Sequence, residues 1–323
     1  MLYKLTIREL LLNPGHNHLR RVAEAVKRGV LSASGFPLEY NTLSLCPCQS
    51  LPNRNLLALE VESIICGVGG KEDPAPYAEP ADAAVFICSC DKDVPALLMA
   101  AARINLPSIF VLGGAMFPGK FKGENVVCCT DAQRLERDFR AGIITEEWRE
   151  FQNIVFPCSG ACGPMGTANT MQCMAEALGM ALPGSACSPA ILAETYRRAE
   201  ESGRKVMELL KEDIRPRDVM TEKSLENAIK VLMAVGGSTN AIIHLIAIAH
   251  ELDIKLPLEK FDEISRNTPL LVDVKPSGRY TAVDFHAAGG VPALMKQMEM
   301  MLNLDVLTVT GRTLKGECSG QGR

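Results

Sequence analysis

Aromatic residues are scarce: one Trp, five Tyr and ten Phe in 323 residues. None is interleaved with a basic run, and the formal net charge is -4 with a pI near 5.8. The chain therefore lacks both the electrostatic footprint and the stacking platform of a nucleic-acid binder. A long uninterrupted apolar run is missing too. The longest candidate, VLMAVGGSTNAIIHLIAIA at 231–249, is broken by Gly, Ser, Asn and His, which makes it packed helix rather than a bilayer span. The opening residues, MLYKLTIRELLLNPGH, scatter their charges and carry no small-residue cleavage site after an apolar block, so they do not read as a secretory signal. The expectation is a cytoplasmic protein, or one of an organelle matrix, with neither membrane nor nucleic acid as partner. Internal repeats and low-complexity tracts are also absent.

Cysteine, by contrast, is abundant: twelve residues, at 46, 48, 66, 88, 90, 128, 129, 158, 162, 173, 187 and 318. Without a secretory signal, and with Cys173 and Cys187 in surroundings that read as apolar and helical, they are expected to be thiols of a reducing compartment. Some would pack as small hydrophobes and some would be open to metal. Hydrophobic residues make up 47% and charged residues 22%, enough for an ordinary globular core.

Periodicity predicts a helix over 17–30 (NHLRRVAEAVKRGV), a strand in FPLEYNTLSL, a helix over 54–65 and a Gly- and Pro-rich surface loop from Gly67 to Pro80. AAVFI at 83–87 reads as a strand covered on both faces, and PALLMAAARI as a helix with Pro95 in its first turn. PSIFVLGG is a further strand, and the mixed stretch 115–157 includes a polar helix at TEEWREF. Helices follow over TANTMQCMAEALGMALPG, closed by Pro183 and Gly184, over 189–211, and from Thr221 as N-cap. Short strands are expected around LLVDVKPSGRY and LDVLTVTGRT. The alternation predicts an α/β fold: a layered, mostly parallel sheet flanked by helices.

The chemistry concentrates where strands turn into helices. CSCDKDVPALLMAA at 88–101 sets Cys90, Asp91 and Lys92 side by side at a strand's carboxyl end. That edge is where open α/β sheets bind ligands, and a helix N-terminus there favours anions. CSGACGPMGTANTMQCMAEALG, from Cys158 to Gly179, puts Cys162 just ahead of another helix, where the dipole favours a thiolate. Thiolates from two such junctions suit an iron–sulfur cluster or zinc. Neither Cys88/Cys90 nor Cys158/Cys162 is a C-x-x-C pair, so two unrelated buried thiols fit the spacing equally well. Asp91 offers a hard oxygen ligand suited to Mg2+, and Lys92 a site of modification; the plainer reading is a capping Asp and a solvated Lys. Ser238, Thr239 and Asn240, in GGSTNAIIHL, stand at a bend in an apolar helical run, either as substrate contacts or as relief of a kink. His244 reads as a satisfied core histidine, His16 and His18 as part of a turn before a helix, and Lys275 and Arg279 as solvated.

Taken in order, PGHNHLRRVAEAVKRGV, CDKDVPALLMAAARINLP, GTANTMQCMAEALGMALPGSA, NAIKVLMAVGGSTNAIIHLIAIA, VDVKPSGRY, AGGVPALMK and LDVLTVTGRT resemble the dihydroxy-acid and sugar-acid dehydratase family, which includes 6-phosphogluconate dehydratase. PALLMAA and RNLLALEVE are closer in wording to pentonate and hexonate dehydratases than to the enzyme of branched-chain amino-acid synthesis. The resemblance implies removal of water from a 2,3-dihydroxy acid to leave a 2-keto-3-deoxy acid. It implies an iron–sulfur cluster, 2Fe-2S or 4Fe-4S, on Cys90 and Cys162, Mg2+ on Asp91, and Lys92 as the lysine that is carboxylated to a second Mg2+ ligand.

Three departures from the family pattern accompany the resemblance. Gly15 follows Pro14 where many members carry a third cluster cysteine, a change that some members share. CPCQSLPN joins the strand near NTLSL to the helix near RNLLALEVE with no carboxylate for Mg2+. The chain ends soon after VTGRT, where the family's β-barrel domain, with a further glutamate ligand and a serine base, would begin. The expected organisation is one amino-terminal α/β domain over 1–315, its start clipped, and a tail over 316–323. The expected partners are a small hydroxy acid and either a second copy or a chain supplying the barrel. The alternative is a non-catalytic paralogue acting as scaffold or dimer partner, with Cys46 and Cys48 binding metal in their own right, or a zinc protein without catalysis.

Overall fold

The computed structural model describes residues 2–7, 15–41, 81–144, 150–151 and 154–320. The expected helix over 54–65, the Gly67–Pro80 loop, most of TEEWREF, and Cys46, Cys48 and Cys66 lie outside the described residues.

Six residues of unbroken apolar sequence make β3 (Ala83–Cys88), and all six are buried. It pairs in parallel with β1 (Leu2–Ile7) on one side and β4 (Ser108–Leu112) on the other, while β2 (Phe36–Asn41) flanks β1, giving the order β2-β1-β3-β4. A central parallel strand must be apolar on both faces because helices cover both. Those helices include α1 (Leu19–Ser32) and α2 (Asp93–Ile104), close to the segments the periodicity predicts. The other sheet among the described residues is a short antiparallel hairpin, β5 (Gly119–Phe121) with β6 (Glu124–Val126), which leads into α3 (Thr130–Arg140). The fold is α/β as expected, and no barrel occurs among the described residues.

Helix α4 (Thr167–Ala177) is buried from Ala168 to Ala177, as a helix surrounded by others must be. It stops well short of the expected Pro183 boundary. Gly179 takes φ +85, and the next residue enters the sheet edge, where Phe110 N–H donates to the Met180 carbonyl at 2.8 Å. A turn that a glycine permits and a strand edge rewards ends the helix early.

Helix α5 (Ala193–Glu212) lies so close to α1 that a methyl group on Gly29 would land on the Glu200 carbonyl, and one on Gly203 on the Val26 carbonyl. After the single turn α6 (Pro216–Val219), α7 (Glu222–Val235) starts at the expected cap: Thr221 Oγ1 accepts from Ser224 N–H at 3.3 Å and Ser224 Oγ from Thr221 N–H at 2.7 Å. The bend at GGSTN separates two helices. Gly236 ends α7 at φ +61, and α8 (Asn240–Glu251) follows.

Helices α9 (Leu258–Asn267), α10 (Ala282–Ala287), α11 (Gly290–Gln297) and α12 (Leu314–Gly320) complete the described chain. The strands expected in the last third shrink to isolated bridges, Val274 with Tyr280 and Leu307 with Thr313. Each closes a tight loop onto itself and finds no neighbouring strand to extend it. Cys187 is not helical as expected: it stands at φ +59 in a turn, with its sulfur 3.7 Å from that of Cys173.

Candidate functional site

Between the end of β3 and the start of α2, Ser89–Lys92 cross the carboxyl end of the sheet. Cys90 is buried; Asp91 and Lys92 are half-buried. The residue that organises this turn is Asp93, which the sequence reading passed over. Its Oδ2 accepts the Ser89 N–H at 3.1 Å and its Oδ1 the Val94 N–H at 3.0 Å. His16 Nε2 lies 3.1 Å from Asp93 Oδ2. Burial alone would lower the His16 pKa, but the Asp93 charge and hydrogen bond, helped by Cys90, outweigh it and raise it to about 10. His18, two residues on, is neutral. Burial, and then the charge on His16, lower its pKa to about 4 against the pull of the Gly113 carbonyl, to which its Nε2 lies at 2.7 Å.

The second junction is bound to the same edge. Ala161 N–H donates to the Gly114 carbonyl at 2.9 Å, and Met116 N–H to the Ala161 carbonyl at 2.8 Å. Gly160, at φ +124, lets the chain come this close, since a Cβ there would sit 2.6 Å from the Ala115 carbonyl carbon. Gln172, wholly buried in α4, joins the two junctions: Nε2 donates to the Ser89 carbonyl at 3.0 Å and Oε1 accepts the Gly114 N–H at 3.1 Å. Asn169 holds the loop around Cys162 from below, Nδ2 donating to the carbonyls of Cys162 at 2.6 Å and Pro164 at 2.8 Å.

The half-buried Cys162 has neighbours that sequence reasoning did not connect to it. Its sulfur and those of Cys128 and Cys129 all lie within 4.8 Å of one another. The vicinal Cys128–Cys129 pair was the available signal, but nothing in the spacing aims it at Cys162.

GGSTN is drawn to the start of α4. Thr167, its first residue, shares a hydrogen bond of 2.9 Å with the Ser238 hydroxyl and accepts one of 3.0 Å from Asn240 Nδ2. Ser238 N–H donates to Thr170 Oγ1 at 3.0 Å; Thr239 is exposed. Lys92, at the start of α2, is close enough to α8 for its charge to act on His244, whose pKa falls to about 4, first through burial and then through Lys92. His244 is not the satisfied core histidine expected, for its buried Nε2 has no hydrogen-bond partner. The starts of α4 and α8 thus meet, and the Lys92 charge at the start of α2 reaches α8, a set of groups suited to an anion such as a carboxylate. Lys275 is not solvated either: Nζ donates to Asp131 Oδ2 at 2.8 Å and to the Asn125 carbonyl at 3.1 Å. Arg279 is exposed and paired with Asp273 at 2.6 Å.

The model of the dihydroxy-acid/6-phosphogluconate dehydratase N-terminal domain matches residues 8–317. The chain belongs to that family. Among similar proteins, the dihydroxy-acid dehydratase of Moorella thermoacetica is 44% identical over 322 residues, 96% of this chain and 56% of its own length. That of Pyrococcus abyssi is 42% identical over 315 residues, 94% of this chain and 55% of its own. That of Methanococcoides burtonii is 41% identical over 310 residues, 93% and 54%. The chain spans about half the length of these curated relatives. All three are named as dihydroxy-acid dehydratases. Among the described residues of this family member, no helix is long and apolar enough to cross a membrane.

Proposed function

We propose that the chain is the amino-terminal α/β part of an iron–sulfur hydro-lyase that dehydrates a 2,3-dihydroxy acid to a 2-keto-3-deoxy acid. The substrate is either the dihydroxy acid named by its relatives or a sugar acid. The observation that carries this reading is the meeting of soft and hard donors at one sheet edge. Cys90 and Asp91 are adjacent in sequence, and the Cys162 loop is tied to the same backbone through Gln172 and Gly114.

The donor chemistry fits. Thiolates of Cys90 and Cys162 would hold an iron–sulfur cluster, and Asp91 with carboxylated Lys92 would hold Mg2+. Carboxylation converts Lys92 from a repelling cation into an oxygen donor. What a bound cluster and cation supply is Lewis acidity at the departing hydroxyl and at the carboxylate.

The chain's own residues orient and select. The helix starts at Thr167 and Asn240 favour the substrate carboxylate, and Ser238, Thr239 and Asn240 offer hydrogen bonds to its oxygens. The His16–Asp93 pair holds the Cys90 turn in place from beneath. On this reading the proton-abstracting base is not among these residues, and the partner is either a second copy of the chain or a chain supplying the β-barrel. The lack of a carboxylate for Mg2+ in CPCQSLPN favours a second reading: a non-catalytic paralogue that keeps the fold as scaffold or dimer partner.

Anaerobic purification followed by reconstitution with iron and sulfide tests the leading reading. The expected result is cluster absorbance and bound iron in the wild type, lost in Cys90→Ala and in Cys162→Ala. Unchanged iron and sulfide content in both variants overturns the ligand assignment. Supplying the barrel on a second chain and assaying 2-keto product then separates enzyme from scaffold.

A further inference from the structure

We infer that Cys128, Cys129 and Cys162 form a mononuclear thiolate site for a soft divalent cation of the zinc type, separate from Cys90. The inference stands on sulfur geometry and does not depend on the dehydratase reading.

Adjacent residues of an extended chain point to opposite faces, so neighbouring cysteines do not ordinarily bring their sulfurs together. Here they do, at 3.6 Å. The cause is a tight γ-turn at Cys129, which takes φ 65 and ψ -60 while Thr130 N–H donates to the Cys128 carbonyl at 2.7 Å. Cys162 arrives from a separate segment because Gly163 allows it: a Cβ there would lie 2.7 Å from Val127 Cγ1.

The spacing discriminates between kinds of centre. Zinc–sulfur bonds of about 2.3 Å at tetrahedral angles put ligand sulfurs about 3.8 Å apart. Three sulfurs within 4.8 Å of one another need only a small closure to reach that. Thiolates on different irons of a cluster are held further apart by the inorganic core, so this trio suits one ion. Cys90 is not a member of the group.

The surroundings supply both anchorage and access. Cys128 is packed in a small core with Phe121, Val126, Leu135, Phe151 and Val155, against which Cys162 rests. The turn is braced by Asp131, whose Oδ2 accepts Val127 N–H at 2.9 Å and Lys275 Nζ at 2.8 Å. Cys129 is exposed and Cys162 partly so, the solvent access that a metal site requires.

The test is Cd2+ titration of reduced, iron-free full chain under argon, followed by the sulfur-to-metal charge-transfer band in the ultraviolet. The expected result is one Cd2+ per chain. Cys129→Ser, an exposed position that leaves the fold intact by circular dichroism, weakens binding by more than about 100-fold, the upper end of the loss from an outer-shell partner. Cys128→Ser and Cys162→Ser do the same, while Cys90→Ala binds like wild type. Wild-type affinity in Cys129→Ser, or loss of Cd2+ binding in Cys90→Ala, overturns the inference. The two readings share Cys162 but have different readouts, Cd2+ binding by iron-free protein here and iron and sulfide content in Cys90→Ala for the cluster, so the failure of one is told from the failure of the other.

Discussion

His16 Nε2 and Asp93 Oδ2 meet at 3.1 Å, with both side chains wholly shielded from solvent. One residue precedes α1 and the other opens α2, so the pair clamps two helix starts at the carboxyl end of β3. Removing two charges from water is costly, and a buried pair survives only when its remaining polar atoms are satisfied. Asp93 meets that condition through the N–H groups of Ser89 and Val94.

Asp93→Asn leaves His16 without its counter-charge and weakens the Cys90 turn. The expected loss is about 3 kcal/mol, as for a buried pair deprived of one partner, read by urea denaturation of the iron-free protein. A loss below about 1 kcal/mol, the scale of an exposed pair, would mean that the clamp carries little of the stability.

Stability between pH 4 and 7 carries opposed contributions from two histidines and one glutamate. The folded-state pKa of His18 is lowered to about 4 by burial from 6.5, so its contribution is present above 6.5 and lost as pH falls through 4. Glu176 is raised by burial from 4.5 to about 7, despite the Ala186 and Gly184 N–H groups it accepts. Its contribution is present below 4.5 and lost as pH rises through 7. Each amounts to about 3 kcal/mol. His244, lowered from 6.5 to about 4 chiefly by burial, acts in the same sense as His18, so the two histidines outweigh Glu176 and wild-type stability rises between pH 4 and 6.5. Glu176→Gln should therefore show a steeper rise between pH 4 and 6.5 than the wild type, and His18→Gln a nearly flat profile there, because His244 and Glu176 then oppose one another. Parallel profiles in both variants would contradict the assignment.

Two glycines separate fold from site. Gly29→Ala drives a methyl group into the Glu200 backbone and should cost about 3 kcal/mol, at the upper end of overpacking, with Cd2+ affinity unchanged at temperatures where the protein is folded. Gly163→Ala presses on Val127 and moves Cys162 away from Cys128. Its main effect should be weaker Cd2+ binding with a smaller change in melting temperature. The reverse pattern would show that Gly163 serves packing alone.

Zinc and the cluster both call on Cys162, so they should exclude one another. Protein loaded with one Zn2+ is expected to take up less iron and sulfide on reconstitution than zinc-free protein, and Cys129→Ser to take up the same amount with or without zinc. Equal cluster yield in zinc-loaded and zinc-free wild type would show that the two centres do not share this sulfur.

Much of the fold was legible along the chain. AAVFI had to be a central strand because an apolar run of that length has no solvent face, and Thr221 had to cap a helix because its hydroxyl satisfies an N–H that the helix leaves open. Boundaries set by distant partners were not legible. The early end of α4 depends on Phe110 taking the Met180 carbonyl, and the strands expected near 274 and 307 fail for want of neighbours.

For the candidate site, the amino-acid order alone determined that Cys90, Asp91 and Lys92 share one strand-to-helix turn and that Cys162 precedes another, since adjacency and helix starts are local properties. Only the tertiary structure decided that Asp93 rather than Asp91 is the buried acid, that Thr167 gathers Ser238 and Asn240, and that Cys162 faces Cys128 and Cys129. Burial and sulfur-to-sulfur distance depend on which segments fold against each other. Residues far apart along the chain leave no periodic trace of that meeting.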